Sequence, residues 1–200
     1  QGDESVAIGD SAAYSSQGAY AVTVGTNSGY NAQGINSVAI GNMAGRLSQG
    51  VDAVAIGVFA GCNAQGNSST AIGVSAGRIS QGTNATAVGN RAGRSSQAAG
   101  AVAIGYFAGD TTQGTSSVAI GDQAGQNSQG NYSVALGGAC GVNSQGYGSI
   151  AIGLEAGLTS QGQYSIAIGH YAAQNSQGGT STAIGPYCGR YDQGIFSIAI

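Results

Sequence analysis

The side chains whose type and spacing could support chemistry are twelve glutamines, one in every sixteen residues. They are Gln17, Gln33, Gln49, Gln65, Gln81, Gln97, Gln113, Gln129, Gln145, Gln161, Gln177 and Gln193. Stacked at the spacing of β-strands, about 4.8 Å, such carboxamides can form a ladder in which each side chain hydrogen-bonds the next. The alternative is a row of exposed amides that binds a glycan or ice. Because Gly follows the Gln in every case but one, where Ala98 stands, we interpret the row as a structural ladder in a tight, buried turn.

No other combination of side chains indicates catalysis or a metal site. His170 is the only histidine, and we interpret it as a solvated edge residue. Cys140 and Cys188 stand at a position that is otherwise small, which favours small core residues, whereas Cys62 is expected to be exposed. The chain has no phosphate loop, no nucleophile elbow and no paired carboxylates in a constant relation. We therefore predict a protein that is not an enzyme, with no catalytic residue, no cofactor and no metal.

The glutamines belong to a sixteen-residue repeat, S/A-V-A-I-G-x-x-A-G-x-x-S-Q-G-x-x, which runs without insertion or deletion over residues 5–196. Partial repeats occupy residues 1–4 and 197–200. A fixed period predicts a stack of similar small structures, here one solenoid array over residues 1–200. We expect the array to be a window of a longer chain. The fifth position predicts turn glycines at Gly9, Gly25, Gly41, Gly57, Gly73, Gly89, Gly105, Gly121, Gly137, Gly153, Gly169 and Gly185.

The length of the repeat decides the fold class. A helical hairpin repeat needs about thirty residues or more, whereas sixteen suit one coil of a β-solenoid. The V-A-I run alternates large and small side chains with the period of a strand. The sequence therefore predicts an all-β protein, a parallel β-solenoid or β-roll of about twelve coils. We expect a strand at positions one to four, a turn at the invariant Gly, a second strand that carries the small eighth residue inward, and closure of the coil by S-Q-G-x-x.

The two faces of the first strand lead to a prediction about assembly. We expect the large side chains, such as Val38 and Ile40, to be buried in the coil, and the Ala between them to point outward. An isolated coil buries too little apolar surface to offset its ordering entropy. The smooth Ala face is therefore predicted to lie at a subunit interface, in a homotrimer or a filament.

Composition excludes some partners. Charged residues make up 6% of the chain, against about 25% in ordinary soluble domains, which leaves the surface poorly defended against association. The net charge is −3 and the five basic residues are all Arg, so no footprint for nucleic acid is present. No apolar run of this segment is long enough to span a membrane as a helix.

The variable positions six and seven could contact a partner. Six apolar or aromatic residues there are candidates: Val58, Phe59, Tyr106, Phe107, Tyr171 and Tyr187. Exposed aromatic rings can anchor glycans or proteins, but unselected sequence variation at the surface of a solenoid edge explains the same residues equally well.

The S-V-A-I-G pentapeptide, intact at residues 5–9, 37–41 and 117–121 and followed by x-x-A-G, resembles the head repeats of YadA-like trimeric autotransporter adhesins. In that family, similar repeats form trimers of left-handed parallel β-rolls that project from bacterial surfaces and bind host matrix or other cells. The family's usual coil is slightly shorter. Fibres of large viruses and phages use similar rolls.

Together these features favour a structural fibre or adhesin head, extracellular, that projects as a stiff rod from a cell or virion surface. The expected partners are further copies of the chain, as a homotrimer or filament, and, by the resemblance, a host matrix protein or glycan. The variable turn residues would serve attachment. The alternative is a self-assembling extracellular filament with a purely structural role.

Overall fold

The computed structural model describes all residues 1–200, which divide into two compact units, residues 1–100 and 101–200. Each unit is a parallel β-solenoid with six sixteen-residue coils and no helix. We number the coils from one, at Ser5, to twelve, at Ser181, and the positions within each coil from one to sixteen. The predicted fold class is confirmed. The prediction of one continuous array over residues 1–200 stays a prediction.

Unit 1 contains twelve strands of three residues each. They are β1 (Val6–Ile8), β2 (Ser15–Gln17), β3 (Val22–Val24), β4 (Asn31–Gln33), β5 (Val38–Ile40), β6 (Leu47–Gln49), β7 (Val54–Ile56), β8 (Asn63–Gln65), β9 (Thr70–Ile72), β10 (Ile79–Gln81), β11 (Thr86–Val88) and β12 (Ser95–Gln97). The odd strands form the VAI sheet, from positions two to four, and the even strands form the Gln sheet, from positions eleven to thirteen. Each strand pairs in parallel with the strand one coil further on, so that Val38 faces Val54 and Gln49 faces Gln65.

Unit 2 repeats this arrangement. Its strands are β13 (Val102–Ile104), β14 (Val118–Ile120), β15 (Asn127–Gln129), β16 (Val134–Leu136), β17 (Asn143–Gln145), β18 (Ile150–Ile152), β19 (Thr159–Gln161), β20 (Ile166–Ile168), β21 (Asn175–Gln177), β22 (Thr182–Ile184), β23 (Tyr191–Gln193) and β24 (Ile198–Ala199). The VAI sheet of this unit contains β13, β14, β16, β18, β20, β22 and β24, and its Gln sheet contains β15, β17, β19, β21 and β23.

Coil 7 differs from the others because it has no second strand; Gln113 makes only an isolated bridge to Gln129. In the other coils the middle residue of the second strand, at position twelve, is Ser, Ala or Asp in the left-handed region, as Ser48 is at φ 55°. Thr112 takes this place in coil 7 and does not adopt a positive φ. We attribute the missing strand to this residue, since a β-branched side chain disfavours the left-handed region.

The large side chains of the VAI sheet point outward, so the predicted orientation of its two faces was wrong. Ala39 is fully buried inside the coil, whereas Ile40 is 38% exposed. The interior is too narrow for branched side chains: a Cβ added to Gly45 would lie 2.7 Å from Gln49 Oε1 and 3.1 Å from Ala39 Cβ. Small residues and Gln already fill this space, so the Ala face cannot meet another subunit.

Two further details of the predicted coil were wrong. The small eighth residue does point inward, as the fully buried Ala44 shows, but it lies in the turn between the strands. The second strand instead covers positions eleven to thirteen, so Gln49 ends a strand and only the following three residues close the coil.

The turn after each first strand requires Gly for two reasons. The twelve position-five glycines have φ between 116° and 131°, which a side chain rarely tolerates. In addition, the coils approach each other closely at this point, since a Cβ added to Gly41 would lie 2.7 Å from the carbonyl oxygen of Gly57.

Candidate interaction surfaces

The glutamines line the interior of the coils. From Gln17 to Gln177 they are 1% to 6% exposed, which places them beyond reach of an external ligand. In every coil the Gln Nε2 donates to the position-two carbonyl on the opposite wall, as Gln49 does to Val38 O at 2.8 Å. The same Nε2 reaches the next coil in most cases, as Gln49 does to Ala53 O at 3.2 Å. The amide therefore links the two sheets of its own coil, and in most coils also the following coil, by hydrogen bonds.

Direct amide-to-amide bonds occur at some steps of the row. Gln81 Nε2 donates to Gln97 Oε1 at 3.1 Å. In the same way, Gln161 donates to Gln177 at 3.3 Å, and Gln177 donates to Gln193 at 3.2 Å. Other amide oxygens, such as that of Gln49, are buried without a hydrogen-bond partner. The main contacts of the row are thus to backbone carbonyls. Its contribution to stability stays a prediction.

The outer surface of the VAI sheet is mainly apolar within each unit, and we call it the aliphatic face. It consists of the side chains at positions two and four, which are Val, Ile or Leu except for Thr70, Thr86 and Thr182 at position two. The position-four residues Ile40, Ile72, Ile104, Leu136 and Ile184 are 38% to 42% exposed, and Ile8 is 59% exposed. The parallel register aligns these side chains in columns. The sequence contained this signal, the V-x-I alternation, but not which way it points.

The outer surface of the Gln sheet is mainly polar. Its position-eleven residues are mostly Asn, Ser and Thr, and in unit 2 some of them bond to each other along the sheet. Asn127 Nδ2 donates to Asn143 Oδ1 at 3.0 Å, and Thr159 Oγ1 donates to Asn175 Oδ1 at 3.0 Å. The chain therefore presents one apolar and one polar sheet surface.

The six predicted partner contacts do not form one patch. Val58 and Phe59 lie in unit 1, and Phe59 is covered by the Arg78 guanidinium at 4.9 Å from its ring centroid. The other four lie in unit 2. There, Tyr106 and Phe107 make an edge-to-face contact with centroids 4.3 Å apart.

Tyr171 and Tyr187 belong to a larger cluster in unit 2. Their rings stack at 5.3 Å, and His170 contacts both. Arg190 lies over both tyrosine rings at 5.0 and 5.4 Å, and its Nε donates to Gln174 Oε1 at 2.9 Å. His170 is therefore half-buried against aromatic rings, where the sequence predicted a solvated edge. Sequence reasoning found the tyrosines but not the Arg190 contacts.

A second aromatic row, at positions fifteen and sixteen, was missed from the sequence. The rings of Tyr132, Tyr147 and Tyr164 make successive edge-to-face contacts with centroids 5.5 and 5.4 Å apart. The available signal was a Tyr in each of three consecutive coils near the closing turn.

The cysteines are mainly interior residues. Cys62 is 4% exposed, so its predicted exposure was wrong; desolvation raises the pKa of its thiol, and the charges of Arg46 and Arg78 partly offset that rise. Cys140 is fully buried in the position-eight row, where desolvation raises its pKa to about 12. Cys188 is partly exposed. No group of three or more His, Cys, Asp or Glu side chains is placed to hold a metal ion.

This architecture defines a repeat protein of the parallel β-solenoid class with one exposed apolar sheet surface. Residues 31–44 and 113–139 match the family model described as the YadA head domain repeat, in 2 copies. The resemblance predicted from the S-V-A-I-G repeats is thereby confirmed for these segments, which form a minor part of the chain. No curated protein matches the chain. The structure contains no helix that could cross a membrane.

Proposed function

We propose that the chain is a non-enzymatic structural fibre or adhesin head on an extracellular surface, assembled as a homotrimer through its aliphatic faces. The observation that carries the proposal is the aliphatic face itself. The match to the YadA head domain repeat supports the adhesin-like class of protein.

The aliphatic face favours a second copy of the chain as its cover. Large contiguous apolar surfaces are rare on monomeric proteins, because leaving them in water forgoes the free energy of their burial. The face has the same register in each coil, as the pairs Ile40 with Ile56 and Ile152 with Ile168 show. Ridges that repeat at a fixed spacing fit best against a surface with the same spacing, and another copy provides it.

Charge supports the same conclusion. Asp, Glu and Arg together make up 6% of the chain, and positions two and four carry none of them in any coil. Nothing on the aliphatic face therefore opposes close approach of a like surface. The variable turns remain outside such an interface, and we propose that they carry attachment to a host matrix protein or glycan.

Coil 5 offers a matched pair of substitutions to test the interface. Ile72 lies on the aliphatic face with 38% exposure, and Ile79 lies on the Gln sheet with 39% exposure. We expect Ile72→Glu to lower the mass in solution from that of a trimer to that of single chains, because it places three carboxylates in an apolar interface. Ile79→Glu should leave the mass unchanged.

Light scattering on both variants measures this difference. Equal masses for the two variants, whether both trimeric or both monomeric, would contradict an interface on the aliphatic face. A mass that grows with concentration in the unmodified chain would instead support the purely structural filament.

A further inference from the structure

Unit 2 contains a groove of about 400 Å³ at the closing turn of coil 11. Its walls are the rings of Tyr164, from coil 10, and Phe196, from coil 12, and between them lie Gly179 and Thr180. Tyr164 is 59% exposed and Phe196 is 77% exposed. We call this groove the notch. None of the residues predicted as partner contacts lines it.

The same place two coils earlier is filled by the chain itself. In coil 9, Tyr147 lies between Tyr132 and Tyr164, with ring centroids 5.5 and 5.4 Å away and interplanar angles of 69° and 68°. Advancing by two coils replaces Tyr132 by Tyr164, Tyr147 by Gly179, and Tyr164 by Phe196. The notch is therefore the site of a missing ring.

The backbone frame of the two places is the same. Tyr164 N donates to Tyr147 O at 2.9 Å in the filled place, and Phe196 N donates to Gly179 O at 3.2 Å in the notch. The wall residues also share a backbone conformation, since Tyr132, Tyr164 and Phe196 have φ of 56°, 54° and 54°. A ring that enters the notch would thus find two aromatic walls placed as those around Tyr147 are.

Position sixteen has a positive φ in every coil, and the residue that tolerates it least lies in the notch. Thr180 has φ 55°, and it is the single β-branched residue of the chain with a positive φ. A β-branched residue in the left-handed region is a genuine outlier. Strain of this kind clusters at binding sites, where the surrounding structure maintains it.

We propose that the notch binds the aromatic side chain of a tyrosine presented by a protein partner. Tyr147 shows which occupant fits, because edge-to-face contact on both sides is the geometry that aromatic rings prefer. The rim supplies the amide of Gln163 and the hydroxyl of Thr180, which can bond a phenol hydroxyl group. This site goes beyond the proposed fibre role and does not depend on self-association through the aliphatic face.

The first experiment is an NMR titration of the isotope-labelled full chain with N-acetyl-tyrosinamide. We expect shifts of the backbone resonances of Gly179, Thr180 and Phe196. Gly179→Tyr should abolish these shifts, because it supplies the missing ring from within. The notch can accept this change, since the nearest atom to a Cβ at Gly179 is Gln163 O at 3.4 Å. Gly179→Ala is the control that leaves the notch open and should retain binding.

A second variant, Tyr147→Gly, is expected to gain a binding site, and a gain of binding cannot result from a loss of folding. Tyr147→Gly should open a second notch between Tyr132 and Tyr164. The probe should then also shift the resonance of Gly148, and two probe molecules should bind each chain instead of one. Absence of shifts at Gly179 in the unmodified chain would overturn the proposal, and so would equal binding to Gly179→Tyr. A methyl hexopyranoside that produces the same shifts at lower concentration would show that the notch binds sugars instead.

Discussion

The two sheets of each coil both direct a compact or polar side chain inward, but they differ in the side chains that they direct outward. On the side of the VAI sheet, Ala39 points inward and Ile40 outward; on the side of the Gln sheet, Gln49 points inward and the polar Ser48 outward. The interior is so thin that small residues and one amide fill it. Bulky apolar side chains cover the outside of the VAI sheet along its whole length, whereas the outside of the Gln sheet has only a few, such as Ile79. The comparison shows that a solenoid of this width places its apolar surface where only another molecule can bury it.

The largest effect is expected where the two sides are joined, at the position-five turn. Gly57→Ala should lower the free energy of unfolding by about 3 kcal/mol or more, because strain and overlap add. The added Cβ would lie 2.6 Å from Gly73 O at a φ of 128°. Denaturant unfolding measures the change.

The control for this turn is Gly138→Ala. Gly138 has no positive φ, and its nearest contact would be the flexible Leu154 Cδ1 at 3.3 Å. We expect a change within about 0.5 kcal/mol. Similar losses of unfolding free energy for the two variants would mean that close approach of the coils at position five does not restrict this turn to Gly.

The bond across the interior can be removed with Gln49→Leu. We expect a loss of about 1 to 3 kcal/mol, since the carbonyls of Val38 and Ala53 lose their buried donor. Thermal unfolding measures it, and Gln126→Leu, at the half-buried position ten, serves as the control. Unchanged melting of Gln49→Leu would remove the argument that the amide row holds the two sides together.

The interior position of Cys140 predicts a pH dependence. Its folded-state pKa is raised to about 12 from the usual 9.0, so the thiolate form favours the unfolded chain. The stability is therefore fully present below pH 9.0 and declines as the pH rises from there toward about 12. Comparing unfolding of the natural chain and Cys140→Ala over this range checks it: the variant should lose less stability than the natural chain. Equal losses would show that the thiol does not titrate from the interior.

The smallest effect concerns the missing strand of coil 7. Thr112→Ser should raise the free energy of unfolding by less than about 1 kcal/mol, because Ser enters the left-handed region more readily than Thr. We also expect slower amide exchange around Gln113. Thr115→Ser, in the closing turn of the same coil, is the control. Equal exchange in the variant and the natural chain would assign the missing strand to another cause.

The sequence was sufficient for what depends on the period. Sixteen residues and the invariant Gly predicted parallel coils with a turn at position five, and the twelve glutamines predicted a buried polar row. The sequence could not predict which side chains of the VAI sheet point inward. An alternation with a period of two residues defines two faces of a strand but does not show which face lies inside the coil. That choice depends on the width of the coil, which Gly45 and Gln49 set together.

The missed features depend on side chains that meet across coils. Cys62 shares position ten with residues of very different size, such as Tyr30 and Arg46, so its burial is not visible in the pattern. The notch becomes apparent only when Tyr147 and Gly179 are compared within the folded chain. Position twelve adopts the left-handed region with Ser and Ala, which carry no sequence signal for it.

The central claim is that copies of the chain cover the aliphatic face. Its most direct test is the absolute mass of the unmodified chain, measured by light scattering across a concentration series. We predict a constant mass of three times the 19.3 kDa of one chain. A single-chain mass at every concentration would contradict the claim, because it would show that the aliphatic face is stable in water.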